Sequence, residues 1–110
     1  MGDRKVKVEE ALHRLAATFI EREAERNSLI TVTRIDLAPD LHNATIFISV
    51  LPDNKAEDAL NFCKRKMTDF KNYVKQNVHM NVIPFFDVQL DMGEKNRQRI
   101  EELEKESKIV

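Results

Sequence analysis

The chain has 110 residues, of which 42% are hydrophobic and 34% charged, with a formal net charge of −1. That length suits one domain with a modest core, and the hydrophobic fraction excludes a disordered chain. No apolar run approaches the ~20 residues of a membrane span, no apolar signal-peptide core lies within residues 1–10, and the single cysteine, Cys63, cannot form an internal disulfide. The composition therefore predicts a soluble chain in a reducing, cytoplasmic setting.

Val8, Leu12, Leu15, Ala16, Phe19 and Ile20 recur at helical spacing and predict an amphipathic helix over residues 4–24. Asn27 and Ser28 break it. Residues 30–37, rich in β-branched side chains, read as a strand. Ile30 and Val32 share one parity, whereas Ile35 and Leu37 share the other. An extra residue near Arg34, forming a bulge, reconciles them. Pro39-Asp40 marks a turn, and residues 44–51 form a second strand with Ile46, Ile48 and Val50 on one face. The short link favours an antiparallel hairpin.

Pro52-Asp53 ends that strand, and Asn54 with Glu57 has capping-box spacing. Ala56, Ala59, Leu60, Cys63 and Met67 form one buried stripe; Phe70, Tyr73, Val74 and Val78 form another. Thr68-Asp69 interrupts between them with poor helix formers, and Thr68 is a natural N-cap. Residues 81–90 read as a third strand, with Pro84 at its entry or on an edge. A two-helix crossover can bring this strand back beside the first. Asp91 with Glu94 resembles a helix cap. The tail beyond has Glu101–Lys105 and Glu104–Lys108 pairs that favour a helix, but few apolar positions. The expected organisation is a domain over residues 1–93 and a charged tail over 94–110. Its class is α+β, with element order α-β-β-α-α-β and the helices covering one face of a three-stranded sheet.

Only Gly2 and Gly93 are glycines, which excludes a phosphate-cradling glycine loop. His13, His42 and His79 are far apart in sequence, and Cys63 has no CxxC partner, so no metal-ligand spacing is present. No nucleophile–base pair stands out either, and the composition reads as non-enzymatic.

The net charge hides a basic segment. Residues 54–80 carry six Lys/Arg against three Asp/Glu. Lys64, Arg65 and Lys66 precede the expected inter-helix break, and Lys71 and Lys75 follow it. On one continuous helix Lys64, Lys71 and Lys75 would share a face. Arg4, Lys5 and Lys7 form a second group at the start of the first helix, where cations oppose the helix dipole. Such clusters are often plain solvated surface, but Lys/Arg side chains are also what neutralises nucleic-acid phosphates. Tyr73 has core spacing; Phe62 and Phe85 lie off the main stripes and are candidates for stacking on bases.

The stretch Thr31 to Pro52 (TVTRIDLAPDLHNATIFISVLP) carries an Asp40-Leu41 turn and a small residue, Ala44, opening the second strand. With Val82-Ile83-Pro84-Phe85-Phe86 to Asp91, and Arg99-Ile100 with Glu102-Leu103, it resembles the ribosome-binding factor A family over roughly Val6 to Glu104. The resemblance implies a type II KH-like fold. It also implies a non-catalytic factor, without metal or cofactor, that binds the small ribosomal subunit and its RNA during late maturation, when the 5′ end of that RNA is processed. Where the family usually places an Ala-x-Gly kink, this chain has Met67-Thr68-Asp69. The resemblance favours Lys64, Arg65, Lys66, Lys71, Lys75, Arg4, Lys5 and Lys7 as RNA contacts, in a protein that is a monomer when free. The alternative from the residues alone is a small protein-interaction module that does not bind RNA. Salt dependence of binding separates the two.

Overall fold

A computed structural model describes residues 2–24 and 27–92, with side chains from Arg4 onward. The charged tail, and with it the Glu94 cap, the Ile100 and Leu103 positions and the 93/94 boundary, lies outside the described residues.

The order is α1 (Gly2–Glu23), β1 (Leu29–Leu37), β2 (Asn43–Leu51), a short 3₁₀ turn (Asp53–Lys55), α2 (Ala56–Arg65), α3 (Met67–Asn77) and β3 (Phe85–Leu90). The class is α+β in the expected order. The sheet order is β1-β2-β3, with β1 antiparallel and β3 parallel to β2. The third strand therefore lies beside the second, not beside the first. The reason is occupancy: α1 packs over β1, so the α2–α3 crossover settles over β2 and β3 and delivers its strand there.

One face of the sheet is buried throughout. Val32, Ile35 and Leu37 of β1, Ala44, Ile46, Ile48 and Val50 of β2, and Phe86 and Val88 of β3 meet Leu12, Ala16, Phe19 and Ile20 of α1, Ala59 and Cys63 of α2, and Phe70 and Val74 of α3. The change of parity in β1 is resolved by a register shift between Val32 and Arg34, which makes Thr33 the extra residue. Aromatic rings tie the helices together. Phe70 lies 5.4 Å from Phe19 and 4.8 Å, edge-on, from Phe86. Half-buried Tyr73 packs beside both Phe19 and Phe70, in keeping with its core spacing.

Three local expectations are corrected. The inter-helix break falls at Lys66, and Met67, Thr68 and Asp69 form the first turn of α3. Lys66 takes φ −90° and ψ 0°, and its N–H is shared between the Phe62 and Cys63 carbonyls at 3.2 and 3.1 Å. One residue in the bridge region bends the chain without an N-capping side chain, so Thr68 caps nothing. Asp69 instead sits where a carboxylate favours the helix dipole. Asn54 likewise lies inside the 3₁₀ turn, and no side chain caps α2. Finally, β3 starts at Phe85, not at residue 81, because the preceding Pro84 has no N–H for the ladder; Pro84 is fully buried at the strand entry.

Candidate nucleic-acid interface

The two basic groups are built on different parts of the fold. Lys64 and Arg65 are exposed in the last turn of α2. Lys66, at the break, is half-buried: its Nζ lies 4.0 Å from Asp69 Oδ2 and 5.7 Å from the centre of the Phe62 ring. Part of its charge is thus answered within the protein. Lys71 is half-buried and Lys75 exposed on α3, one turn apart. Because the helix is broken at Lys66, Lys64 does not continue the helical phase of Lys71 and Lys75. The one-face spacing expected for a continuous helix does not apply across the break.

Arg4 and Lys7 lie on the first turns of α1 and line an open groove of about 750 Å³. Lys5 is half-buried and outside the groove lining. The floor is apolar, formed by Val8, Ala11 and Leu12 of α1 with Val78 at the C-terminal end of α3. The rim carries His42 from the β1–β2 turn and His79 and Val82 from the segment leading to β3. The turn that builds this rim is tightly specified. Leu41 has φ 65°, a conformation uncommon for a residue with a Cβ, and its side chain packs against the core. Asp40 Oδ1 accepts the His42 N–H at 3.0 Å, and the Ala38 carbonyl accepts the Leu41 N–H at 2.8 Å. The His42 carbonyl accepts the Phe85 N–H at 2.8 Å, locking the turn to β3.

α1 is held over this end of the sheet by Glu9 and His13. Glu9 Oε2 accepts the Leu37 N–H at 2.9 Å, and His13 Nε2 bonds the Val32 carbonyl at 3.2 Å. The groove and the break occupy opposite ends of α3, which at 11 residues separates them by roughly 16 Å.

Aromatic side chains differ in availability. Phe62 is half-buried, and Phe47 on the outer sheet face lies under Arg34, whose guanidinium carbon is 4.0 Å from the ring centre. Phe85 is 70% exposed. His42 and His79, which sequence spacing treats as isolated, are brought to one groove by the β1–β2 turn and the end of α3. Nothing in their sequence separation signals that meeting. Cys63 is fully buried, and burial pushes its thiol from the usual 9.0 up to about 11, consistent with a small core residue and not a nucleophile.

Comparison with known proteins supplies a second line of evidence. The family model for ribosome-binding factor A matches residues 4–104. The ribosome-binding factor A of Fervidobacterium nodosum is 34% identical over 77 residues, 69% of this chain and 62% of that protein. The crystal structure of ribosome-binding factor A from Thermus thermophilus superposes with a TM-score of 0.71 at 21% identity, covering 78% of this chain and 93% of the other. A homology model of the Thermus thermophilus factor fitted into the cryo-EM map of a 30S complex gives a TM-score of 0.65 at 17% identity over 77% of this chain and 92% of that one.

Proposed function

Because the chain belongs to the ribosome-binding factor A family, we propose that it binds the small ribosomal subunit and the RNA of that subunit during late maturation, at the stage when the RNA 5′ end is processed. The observation that carries this reading is the family match over residues 4–104, supported by the likeness of the fold to a factor placed in a 30S complex. The protein acts as a non-catalytic binding factor, monomeric when free and cytoplasmic. Lys64, Arg65, Lys66, Lys71 and Lys75 around the break supply the main phosphate contacts, Arg4, Lys5 and Lys7 the secondary ones. Met67, Thr68 and Asp69 stand in the position of the family's kink. Without a glycine-rich backbone clamp around the break, recognition there rests on shape and charge.

Co-sedimentation with purified small subunits over a series of salt concentrations tests this. Binding whose log K falls steeply and linearly with log [salt] supports phosphate contact. Binding that is insensitive to salt points to the alternative, a protein-interaction module. Absence of binding at low salt overturns the reading.

A further inference from the structure

We propose that the groove between α1, the β1–β2 turn and the end of α3, together with the exposed ring of Phe85, is a binding site for unpaired RNA nucleotides. One base stacks on Phe85, and the adjoining nucleotide enters the groove with its phosphate on Arg4 and Lys7. This deepens the RNA-binding reading above and rests on it, but it places a contact at the end of α3 remote from the helix break.

Four observations combine. The groove has a volume within the range of small-ligand sites, about 750 Å³, and an apolar floor of Val8, Ala11, Leu12 and Val78. Among the described residues its charged lining is two cations, Arg4 and Lys7, against one carboxylate, Asp40, whose Oδ1 is already held by the His42 N–H. The nearby Glu9 is turned to the Leu37 N–H and does not line the groove. Phe85 is 70% exposed, a large apolar ring at the start of β3, and its own N–H is bonded to the carbonyl of the groove residue His42. That bond ties the backbone at the start of β3 to the turn that builds the groove, and the ring stands at the same end of the sheet on its outer face, so a strand that stacks on it rounds the sheet end to enter the groove.

The chemistry of this combination selects a nucleotide. An apolar floor with a cationic rim suits a flat, weakly polar body joined to an anion, and an exposed aromatic ring accepts the face of any base. The charge distribution sets the direction of the strand. Asp87 of β3 and Asp36 of β1 are exposed on the outer sheet face, in the row next to Phe85, where Thr45 pairs with both. These carboxylates repel phosphates from the part of that face beside Phe85, where the nearest cation, Arg34, is stacked on Phe47 further along the sheet, and Arg4 and Lys7 are left as the favourable place for the backbone. A duplex keeps its bases stacked and paired, so unpaired RNA is the form that fits.

The chain contains no tryptophan, which gives a direct optical test. In Phe85→Trp the introduced indole is the only one present. Its emission should be quenched as a short unstructured single-stranded RNA is titrated in, and a duplex RNA of equal length should compete poorly. With the otherwise native chain and a fluorescein-labelled form of the same RNA, Phe85→Ala should weaken binding roughly 5- to 150-fold, the range for loss of one base stack. The double substitution Arg4→Ala with Lys7→Ala should make the slope of log K against log [salt] shallower by about 0.7, the value for one lost phosphate contact on a single strand. All these positions are exposed, so unchanged melting curves confirm that folding is intact.

Unchanged indole emission at saturating RNA, or oligonucleotide affinity equal to wild type in both sets of variants, overturns the site. Binding of whole subunits is measured in parallel. If wild type binds subunits while the groove variants leave oligonucleotide affinity unaltered, the groove proposal fails and the subunit reading stands. If wild type binds the oligonucleotide through the groove but never binds subunits, the converse holds. Loss of subunit binding in Phe85→Ala without any affinity of wild type for single-stranded RNA shows a protein occupant and also overturns the site.

Discussion

Cys63 sits on the inner face of α2 with no exposed surface, and burial holds its thiol near 11. The thiol should therefore resist disulfide reagents at pH 8 in the native protein and react at once in denaturant; rapid native labelling would contradict the packing of α2. The sign of the pH effect follows from the raised value. Below pH 9 the thiol is protonated in folded and unfolded chains alike and contributes no pH dependence. Between 9 and about 11 the folded chain retains a proton that the unfolded chain releases, so stability falls as pH rises. Cys63→Ala should remove that part of the alkaline decline in urea titrations. The place of Cys63 was legible from its spacing with Ala59 and Met67. Glu9 was not: its partner, the Leu37 N–H, lies 28 residues away. β1 is an edge strand, and Glu9 covers one of the donors that its free edge presents. Glu9→Ala should lower stability by about 1–3 kcal/mol, the usual range for leaving a partly buried donor unmet, with the urea m-value unchanged. Glu9→Gln keeps an acceptor and should lose less.

Among the elements, β1 shows how far periodicity reaches. The switch of apolar parity between Val32 and Ile35 requires one extra residue, and the register places it at Thr33. Thr33 Oγ1 lies 2.6 Å from Asp91 Oδ2 and 3.2 Å from the Phe47 carbonyl, and its single hydroxyl hydrogen serves one of them at a time. Deleting Thr33 restores strict alternation and keeps Val32, Ile35 and Leu37 inward. The shortened chain should therefore still unfold cooperatively, with the loss limited to those hydroxyl contacts and the bulge's local twist. Inserting one alanine between Arg34 and Ile35 also makes the spacing from Val32 even, but it keeps Ile35 and Leu37 inward only by carrying both two places along β2, away from their partners Ile46 and Ala44, and should lower the melting temperature more than the deletion does. If both variants melt alike, the bulge does not set the register. The helix break is less legible because side chains do not carry its signal. Thr68-Asp69 looks like a cap, yet the bend uses only backbone torsion and a shared N–H at Lys66, to which the identity of a lysine gives no clue.

For the whole molecule, the arrangement that matters is the antiparallel packing of α1 and α3. Phe19 of α1 meets Phe70 and Tyr73, while Val8 and Leu12 share the groove floor with Val78 at the far end of α3. Arg4 and Lys7 are thereby carried to the end of α3 opposite Lys64, Arg65 and Lys66. Both basic groups stand out in the sequence as charge density, but their separation depends on helix packing and strand order, which that density does not encode. If the break supplies the main contact, the triple reversal of Lys64, Lys71 and Lys75 to glutamate should abolish co-sedimentation with small subunits, since it exchanges three attractions to phosphate for three repulsions. Lys64 and Lys75 are exposed and Lys71 half-buried, so the melting curve should move little, within about 0.5 kcal/mol for each exposed position. Replacing Arg4, Lys5 and Lys7 together should weaken subunit binding less, because Lys5 does not line the groove and the break face remains intact. Subunit binding by the triple reversal as tight as wild type at low salt would show that the break is ordinary charged surface, and the principal contact would then have to lie at the groove end of α3 or in the tail.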